Sequence, residues 1–107
     1  MNEKELKNIR FLKIEIARAD KLIKDLIREG KGALSYVDLL YETKNNLLLQ
    51  KANLERAINE IEDAEIRLIL KLKFIDLKSW SYIGKIMNYE RSTVFKKYKK
   101  YLQGERK

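Results

Sequence analysis

The stretch SYIGKIMNYERSTVFKKYKKYL, residues 81–102, decides the fold of the chain. It has Gly84 inside a helical pattern, a short polar break at Asn88, and then a second run loaded with lysine. Glycine inside a helix costs about 1 kcal/mol relative to alanine, and it suits a point where another helix approaches the backbone. Asparagine tolerates a left-handed backbone better than most residues, so Asn88 suits a tight turn. The stretch therefore predicts a helix over 80–87, a turn, and a helix over about 91–102. Apolar contacts between the two are expected from Ile83, Met87, Tyr89 and Val94.

The last of these helices has two different faces when its residues are placed about 100° apart. Its apolar sector holds Val94, Tyr98, Tyr101 and Leu102. The opposite sector holds Ser92, Lys96, Lys99, Lys100 and Gln103, with Thr93 at the edge.

A cationic helix face is typical of a helix that enters the major groove of DNA, since phosphates attract it whatever the base sequence. Serine, threonine and arginine near the helix N-terminus can reach base edges. We therefore predict a DNA-binding surface on this helix. The competing interpretation of the lysines is a solvated surface that only aids solubility.

A further helix is predicted just upstream. The acidic residues of 62–65 match the positive end of a helix dipole, and the apolar face that follows is Ile66, Ile69, Leu70 and Phe74. The helix should end at 77–79, where Ser79 can cap the next helix. Residues 63–107 are thus predicted to form a three-helix unit.

Two long helices are predicted before this unit, over about 2–29 and 36–62. Apolar residues of the first helix are spaced alternately three and four positions apart, and apolar residues of the second recur every seven positions, as in a coiled coil. The first set is Ile9, Leu12, Ile16, Ala19, Ile23 and Leu26, and the second is Leu40, Leu47, Leu54 and Ile61. Lys44 and Lys51 occupy the companion seam, where lysine costs stability and restricts register or partner number.

The segment between the long helices is short. Gly30-Lys31-Gly32 suits a helix end, and Ser35 with Asp38 resembles a capping box. A short loop favours an antiparallel hairpin. Pairing within one chain and pairing between two chains both remain open, and the broad apolar stripes favour a hairpin that also forms a homodimer. A plain helix pair with no partner is the alternative.

Composition narrows the function. The 107 residues include no Cys and no His, so the commonest metal ligands and the commonest general base are missing, and no Gly-rich phosphate loop occurs. We expect no enzyme activity, no cofactor and no metal site. No apolar run approaches the ~18 residues of a membrane span, and the charged start is unlike a secretory signal, so a cytoplasmic all-α protein without membrane contact is expected.

Charge is divided unevenly between the two predicted regions. Residues 1–62, the predicted hairpin and oligomerisation region, carry 12 Lys and Arg against 11 Asp and Glu. Residues 63–107, the predicted DNA-binding domain, carry 12 against 5. The basic character belongs to the C-terminal unit.

Residues 64–102 resemble the DNA-binding region 4 of sigma-70-type factors. Within them, RLILKLKFIDLKSWSYIGKIMNYERSTVFKKYKKYL has a first helix, a helix of the W-x-x-I-small pattern, a short turn and a recognition helix of the x-S-T-V pattern. The layout of the whole chain resembles phage late-gene transcriptional regulators of the ArpU/RinA type. The resemblance implies that Trp80 and Ser81 lie near a phosphate. It also implies that the recognition helix faces DNA with Arg91, Ser92, Thr93 and Lys96, followed one turn later by Lys99 and Lys100.

The sequence thus predicts a DNA-binding transcriptional regulator of phage or mobile-element genes, whose N-terminal helices dimerise or contact RNA polymerase. One alternative is a small-terminase-like protein that recognises DNA for packaging, although such proteins usually place the DNA-binding unit first. Another is a helical adaptor whose basic end binds an acidic protein.

Overall fold

Helices make up all the regular structure that the computed structural model describes, which covers residues 1–30 and 34–105. The α-helices are α1 (Glu3–Glu29), α2 (Leu34–Asn59), α3 (Ala64–Leu70), α4 (Trp80–Met87) and α5 (Arg91–Glu105), and α3 continues into a π-helical turn, Lys71–Ile75. The predicted all-α class, a long helical hairpin followed by a three-helix helix-turn-helix unit, is confirmed.

Contacts divide the chain into two compact units that differ from the predicted regions. One unit, Phe11–Asn53, comprises most of α1 and α2, and the other combines Met1–Arg10 with Leu54–Lys107. The prediction placed the division after residue 62. The structural division differs because the two ends of the hairpin contribute Leu6, Ile9 and Ile58 to the core of the C-terminal helices, each with no exposed surface.

In the unit Phe11–Asn53 the two helices are antiparallel partners. The Lys44 ammonium lies 2.8 Å from a carboxylate oxygen of Asp20, and Lys24 lies 2.9 Å from the other oxygen. The hydrogen bond from Lys44, followed by that from Lys24, lowers the pKa of Asp20 to about 2. Lys44 is therefore paired across the helix seam, which offsets part of the cost predicted for lysine at that position.

Burial along this unit follows the predicted seam, but the unit leaves much apolar surface exposed. Leu12 and Ile23 are buried, while Leu40 and Leu47 are half-buried. Nine large apolar side chains are 40–60% exposed, and they are Phe11, Ile14, Leu22, Ile27, Tyr36, Leu39, Tyr41, Leu48 and Leu49.

Helix ends agree with the local signals in most places. Gly30 has a left-handed φ of 67°, and the Asp63 carboxylate accepts hydrogen bonds from the amides of Glu65 and Ile66 at the start of α3. The predicted cap at Ser35 is wrong, because α2 begins one residue earlier, at Leu34. Lys31 and Gly32 of the predicted break lie outside the described residues.

The end of the third helix was not foreseen in detail. The π-helical turn carries a hydrogen bond from the Asp76 amide to the Lys71 carbonyl (2.9 Å). Leu77 follows with a left-handed φ of 58°, and the Lys78 amide bonds to the Leu72 carbonyl (2.9 Å). A left-handed residue at a helix end is usually glycine, and here the hydrogen bonds on either side of Leu77 follow the wider spacing of the π-helical turn. The chain thereby turns sharply between α3 and α4.

Candidate nucleic-acid interface

The turn between α4 and α5 is fixed by hydrogen bonds at both ends of α4. The Ser79 hydroxyl accepts from the Tyr82 amide (3.1 Å), as predicted for a cap. Asn88 has φ 59° and ψ 42°, the predicted left-handed conformation, and the Tyr89 amide donates to the Gly84 carbonyl (2.8 Å). The predicted bounds of α4 are confirmed, and α5 begins at Arg91.

The backbone of the turn after α4 approaches Gly84 closely. A methyl group at this position would lie 2.7 Å from the Tyr89 carbonyl oxygen and 3.4 Å from the Arg91 amide nitrogen. The expected close approach is therefore present. It is made by the turn and the first residue of α5, rather than by the middle of a crossing helix.

The helix α5 has a buried face that anchors it to the unit. Val94, Tyr98 and Leu102 are at most 4% exposed, and they pack in one core with Ile83 and Phe74. Burial raises the pKa of Tyr98 to about 12, and the negative charge of Glu3 adds to the effect. The apolar sector predicted from the sequence is therefore the packed side of α5.

The opposite side of α5 is open to solvent. Most of the predicted DNA-binding residues are exposed, namely Ser81, Arg91, Ser92, Lys96, Lys99 and Lys100. Thr93 and Trp80 are half-buried. The structure therefore brings these residues to the surface around the N-terminal ends of α4 and α5 and along α5.

The lysines of α5 differ in their partners. Among the described residues, no carboxylate pairs with Lys96. The Lys99 ammonium lies 3.9 Å from a Glu3 oxygen, at the outer limit of an ion pair, and its side chain is 45% exposed. Lys99 also lies over the rings of Phe95 (5.4 Å) and Tyr98 (5.8 Å). An exposed pair of this length contributes little in water, so the charge of Lys99 is only weakly compensated.

Lys97, which the prediction left out, is instead held by an acid. Its ammonium lies 2.8 Å from Glu65, and the Tyr89 hydroxyl donates to the other Glu65 oxygen (3.0 Å). The hydrogen bond from Lys97, then that from Tyr89, lowers the pKa of Glu65, and the same bond raises the pKa of Lys97. Lys97 thus ties α5 to the start of α3, whereas Lys96 beside it has no acidic partner among the described residues.

This surface also has an aromatic part, in which Phe95 contacts the predicted site residue Trp80. The Phe95 ring meets the Trp80 ring edge-on, with centroids 5.4 Å apart and planes at 88°, and Phe95 remains 40% exposed. These two rings, Arg91 and Ser92 line a shallow depression of about 290 Å³. A large apolar residue on the polar side of α5 was the available signal.

A second basic surface was also missed. Lys7 and Arg10 of α1 and Lys73 of the π-helical turn line a groove of about 470 Å³ with Phe74 and Leu77. Lys73 also lies over the Trp80 ring at 4.8 Å, beside the α4 N-terminus. No local pattern could have joined these cations, because Lys73 lies more than 60 residues after Lys7 and Arg10 in the sequence.

The part of the chain that the structure describes, residues 1–30 and 34–105, has neither a cluster of metal ligands nor a membrane-spanning helix. There, no group of three or more acidic side chains is arranged to hold a metal ion. None of the helices in that part combines the length and apolarity needed to cross a bilayer.

The fold and this surface define an all-α protein with a helix-turn-helix unit. The chain belongs to the family described as protein of unknown function (DUF1492), whose family model matches residues 34–103, from the start of α2 into α5. No curated protein and no solved structure matches the chain significantly.

Proposed function

We propose that the protein binds double-stranded DNA by placing α5 in the major groove, and that it acts as a sequence-specific transcriptional regulator. The observation that carries this proposal is the division of α5 into two sides. Val94 and Tyr98 fix one side in the core, while the exposed side presents Ser92, Lys96 and Lys99. A rigidly supported helix with a cationic outer face has the width and charge that the major groove admits.

Electrostatics support the same proposal. Lys96, Lys99 and Lys100 follow one another along the exposed side, and each phosphate that a lysine neutralises releases a counterion and strengthens binding. The basic groove of Lys7, Arg10 and Lys73 adds cations on the same compact unit. These groups provide affinity for any duplex, and Arg91 and Ser92 at the α5 N-terminus provide base contacts.

The regulatory role rests on the likeness of residues 64–102 to region 4 of sigma-70-type factors and of the layout to phage late-gene regulators. RNA polymerase is accordingly a proposed partner, and phage or mobile-element genes are the proposed targets. A cytoplasmic location follows from this role.

A neighbouring pair of lysines provides the test of DNA binding. The full chain is titrated with a labelled duplex of about 30 base pairs, and anisotropy is followed between about 50 and 200 mM salt. Lys96→Gln should reduce the slope of log affinity against log salt by about 0.9 and weaken binding about fivefold near 0.15 M salt. Lys97→Gln is the matched control and should leave the slope unchanged, since Glu65 already pairs with Lys97.

The outcomes separate the candidate functions. Equal slopes for the wild type and Lys96→Gln would refute insertion of α5. DNA-binding proteins usually bind non-specific duplex with dissociation constants of about 1–100 μM. An absence of binding to any duplex at about 150 mM salt would therefore favour the adaptor hypothesis. Selection of duplexes from a random library then tests sequence specificity.

We also propose that the protein forms a homodimer through the unit Phe11–Asn53. The nine exposed apolar side chains of that unit offer together roughly 900 Å², taking large side chains at about 200 Å² each. A standard protein interface buries about 800 Å² on each partner, so these side chains together offer enough apolar area for one. A second copy supplies an identical surface, as a two-fold dimer requires.

Sedimentation equilibrium tests the dimer. A dimeric mass is expected, and Leu39→Glu should shift it toward monomer, while Asn45→Glu at an exposed polar position of the same helix should not. A monomeric wild type would refute the dimer, and a ring of many copies would favour the DNA-packaging alternative.

A further inference from the structure

Phe95 stands out on the exposed side of α5 because it is apolar among cations. Its ring is 40% exposed, yet it is held on two sides, edge-on by Trp80 at 5.4 Å and by Tyr98 at 6.2 Å. The Lys99 ammonium lies 5.4 Å from the ring centre. A ring supported in this way presents a fixed apolar surface and loses little freedom when something covers it.

The surroundings of Phe95 indicate what could cover it. Arg91 and Ser92, one turn earlier on α5, line the same depression of about 290 Å³, and no carboxylate lines it among the described residues. The ring therefore lies beside hydrogen-bond donors and cations suited to phosphates and base edges. An apolar spot inside such a surface matches a ligand that is mostly polar and anionic but has a small apolar group.

We propose that Phe95 contacts the 5-methyl group of a thymine and gives the protein a preference for thymine at one position of its site. The inference rests on the proposed binding of α5 in the major groove. Of the four bases, thymine is the one that presents a methyl group there, and phenylalanine is among the side chains that contact it. Trp80 acts as a positioning residue because its ring fixes the orientation of Phe95.

The experiment begins with the full chain. Bound duplexes are selected from a random library, and the recovered site is then synthesised with each thymine replaced in turn by deoxyuridine, which lacks only the methyl group. For the wild type, one position should lose about fourfold in affinity, which corresponds to burial of one methyl-sized group. A duplex with 5-methylcytosine paired with guanine at that position has the methyl group again, and it should be bound more tightly than the same duplex with cytosine.

Phe95→Ala and Phe95→Leu complete the cycle. Phe95→Ala should bind the thymine and deoxyuridine duplexes equally, because the methyl has lost its contact, while Phe95→Leu should keep part of the difference. Ile86→Ala, which shortens an exposed apolar side chain on α4, is the control and should keep the full difference. Circular dichroism and thermal unfolding establish that each variant is folded.

The possible failures are distinguishable. If no duplex is bound, DNA binding itself fails, and the role of Phe95 fails with it. If the wild type binds a defined site but no deoxyuridine substitution weakens it, the thymine contact is refuted while DNA binding stands. If Phe95→Ala still distinguishes thymine from deoxyuridine, another residue contacts the methyl group and the assignment to Phe95 is overturned.

Discussion

Replacement of Gly84 by alanine should destabilise the protein, although alanine is the better helix former. The new methyl group would lie 2.7 Å from the Tyr89 carbonyl oxygen, a separation that methyl groups in folded proteins essentially never show. Relief cannot come from a side-chain rotation, because the opposing atom is backbone. That backbone is also held by the hydrogen bond from the Tyr89 amide to the Gly84 carbonyl (2.8 Å).

The expected magnitude follows from two opposing effects. Overpacking against a well-ordered neighbour costs about 1–3 kcal/mol, and the upper part of that range applies where backbone must move. Alanine also raises the free energy of unfolding by about 1 kcal/mol, because it favours the helix and makes the unfolded chain less flexible. We therefore expect Gly84→Ala to lower the free energy of unfolding by about 1–2 kcal/mol. The turn must also shift, which should displace Arg91 and weaken the proposed DNA binding.

Urea unfolding followed by circular dichroism measures the effect, with Gly104→Ala as the matched control. Gly104 also lies in a helix, but nothing lies within 4 Å of a methyl group built there. Its replacement should raise stability by about 0.5 kcal/mol, less than in a helix interior because the residue is near the end of α5. If both variants gain stability alike, the close approach at Gly84 does not exist in solution.

Two further predictions concern charged pairs. The pKa of Asp20 is held at about 2, below its ordinary 3.8, so the pair with Lys44 stabilises the fold above pH 4 and is lost as the pH falls toward 2. In urea unfolding, the loss in free energy of unfolding caused by Asp20→Asn should shrink as the pH falls over that range. A loss that stays constant would contradict the pairing. Asp38→Asn, at an exposed position, is the control. Glu3→Gln should raise DNA affinity by less than about twofold in the anisotropy titration, because the 3.9 Å pair compensates Lys99 only weakly. A gain of about fivefold or more would contradict that weak pairing.

The sequence was informative where a few neighbouring residues decide the structure. Ser79 caps α4 because its hydroxyl meets an amide three residues away, and Asn88 takes the left-handed turn through its own backbone preference. The two sides of α5 follow from helical spacing alone, so Val94 and Lys96 were placed correctly. The cap at Ser35 failed, because serine within the first turn of a helix gives the same local pattern as serine just before it.

Features that depend on distant residues could not be predicted. Helical spacing marks Leu6 and Ile9 as apolar but does not say that they pack with α5, some 90 residues later. The pairs of Lys97 with Glu65 and of Lys99 with Glu3 also join distant residues. Helical spacing separates Lys97 from the basic sector but gives no sign of either acidic partner. The left-handed Leu77 was missed because leucine has no preference for that conformation, and the surrounding hydrogen bonds impose it.

The core that joins Leu6 to Leu102 makes the outer hairpin an insertion within a discontinuous unit. A nascent chain can complete that core only after its last helix has emerged, whereas the hairpin can pair earlier from local contacts. The entropic cost of closing a loop rises slowly, by about 0.6 kcal/mol for each doubling of loop length. A hairpin that has already paired lowers this cost further. Relatives with hairpins shorter or longer by whole heptads would therefore retain the same three-helix unit, so evolution can vary the length of the hairpin independently of the surface on α5.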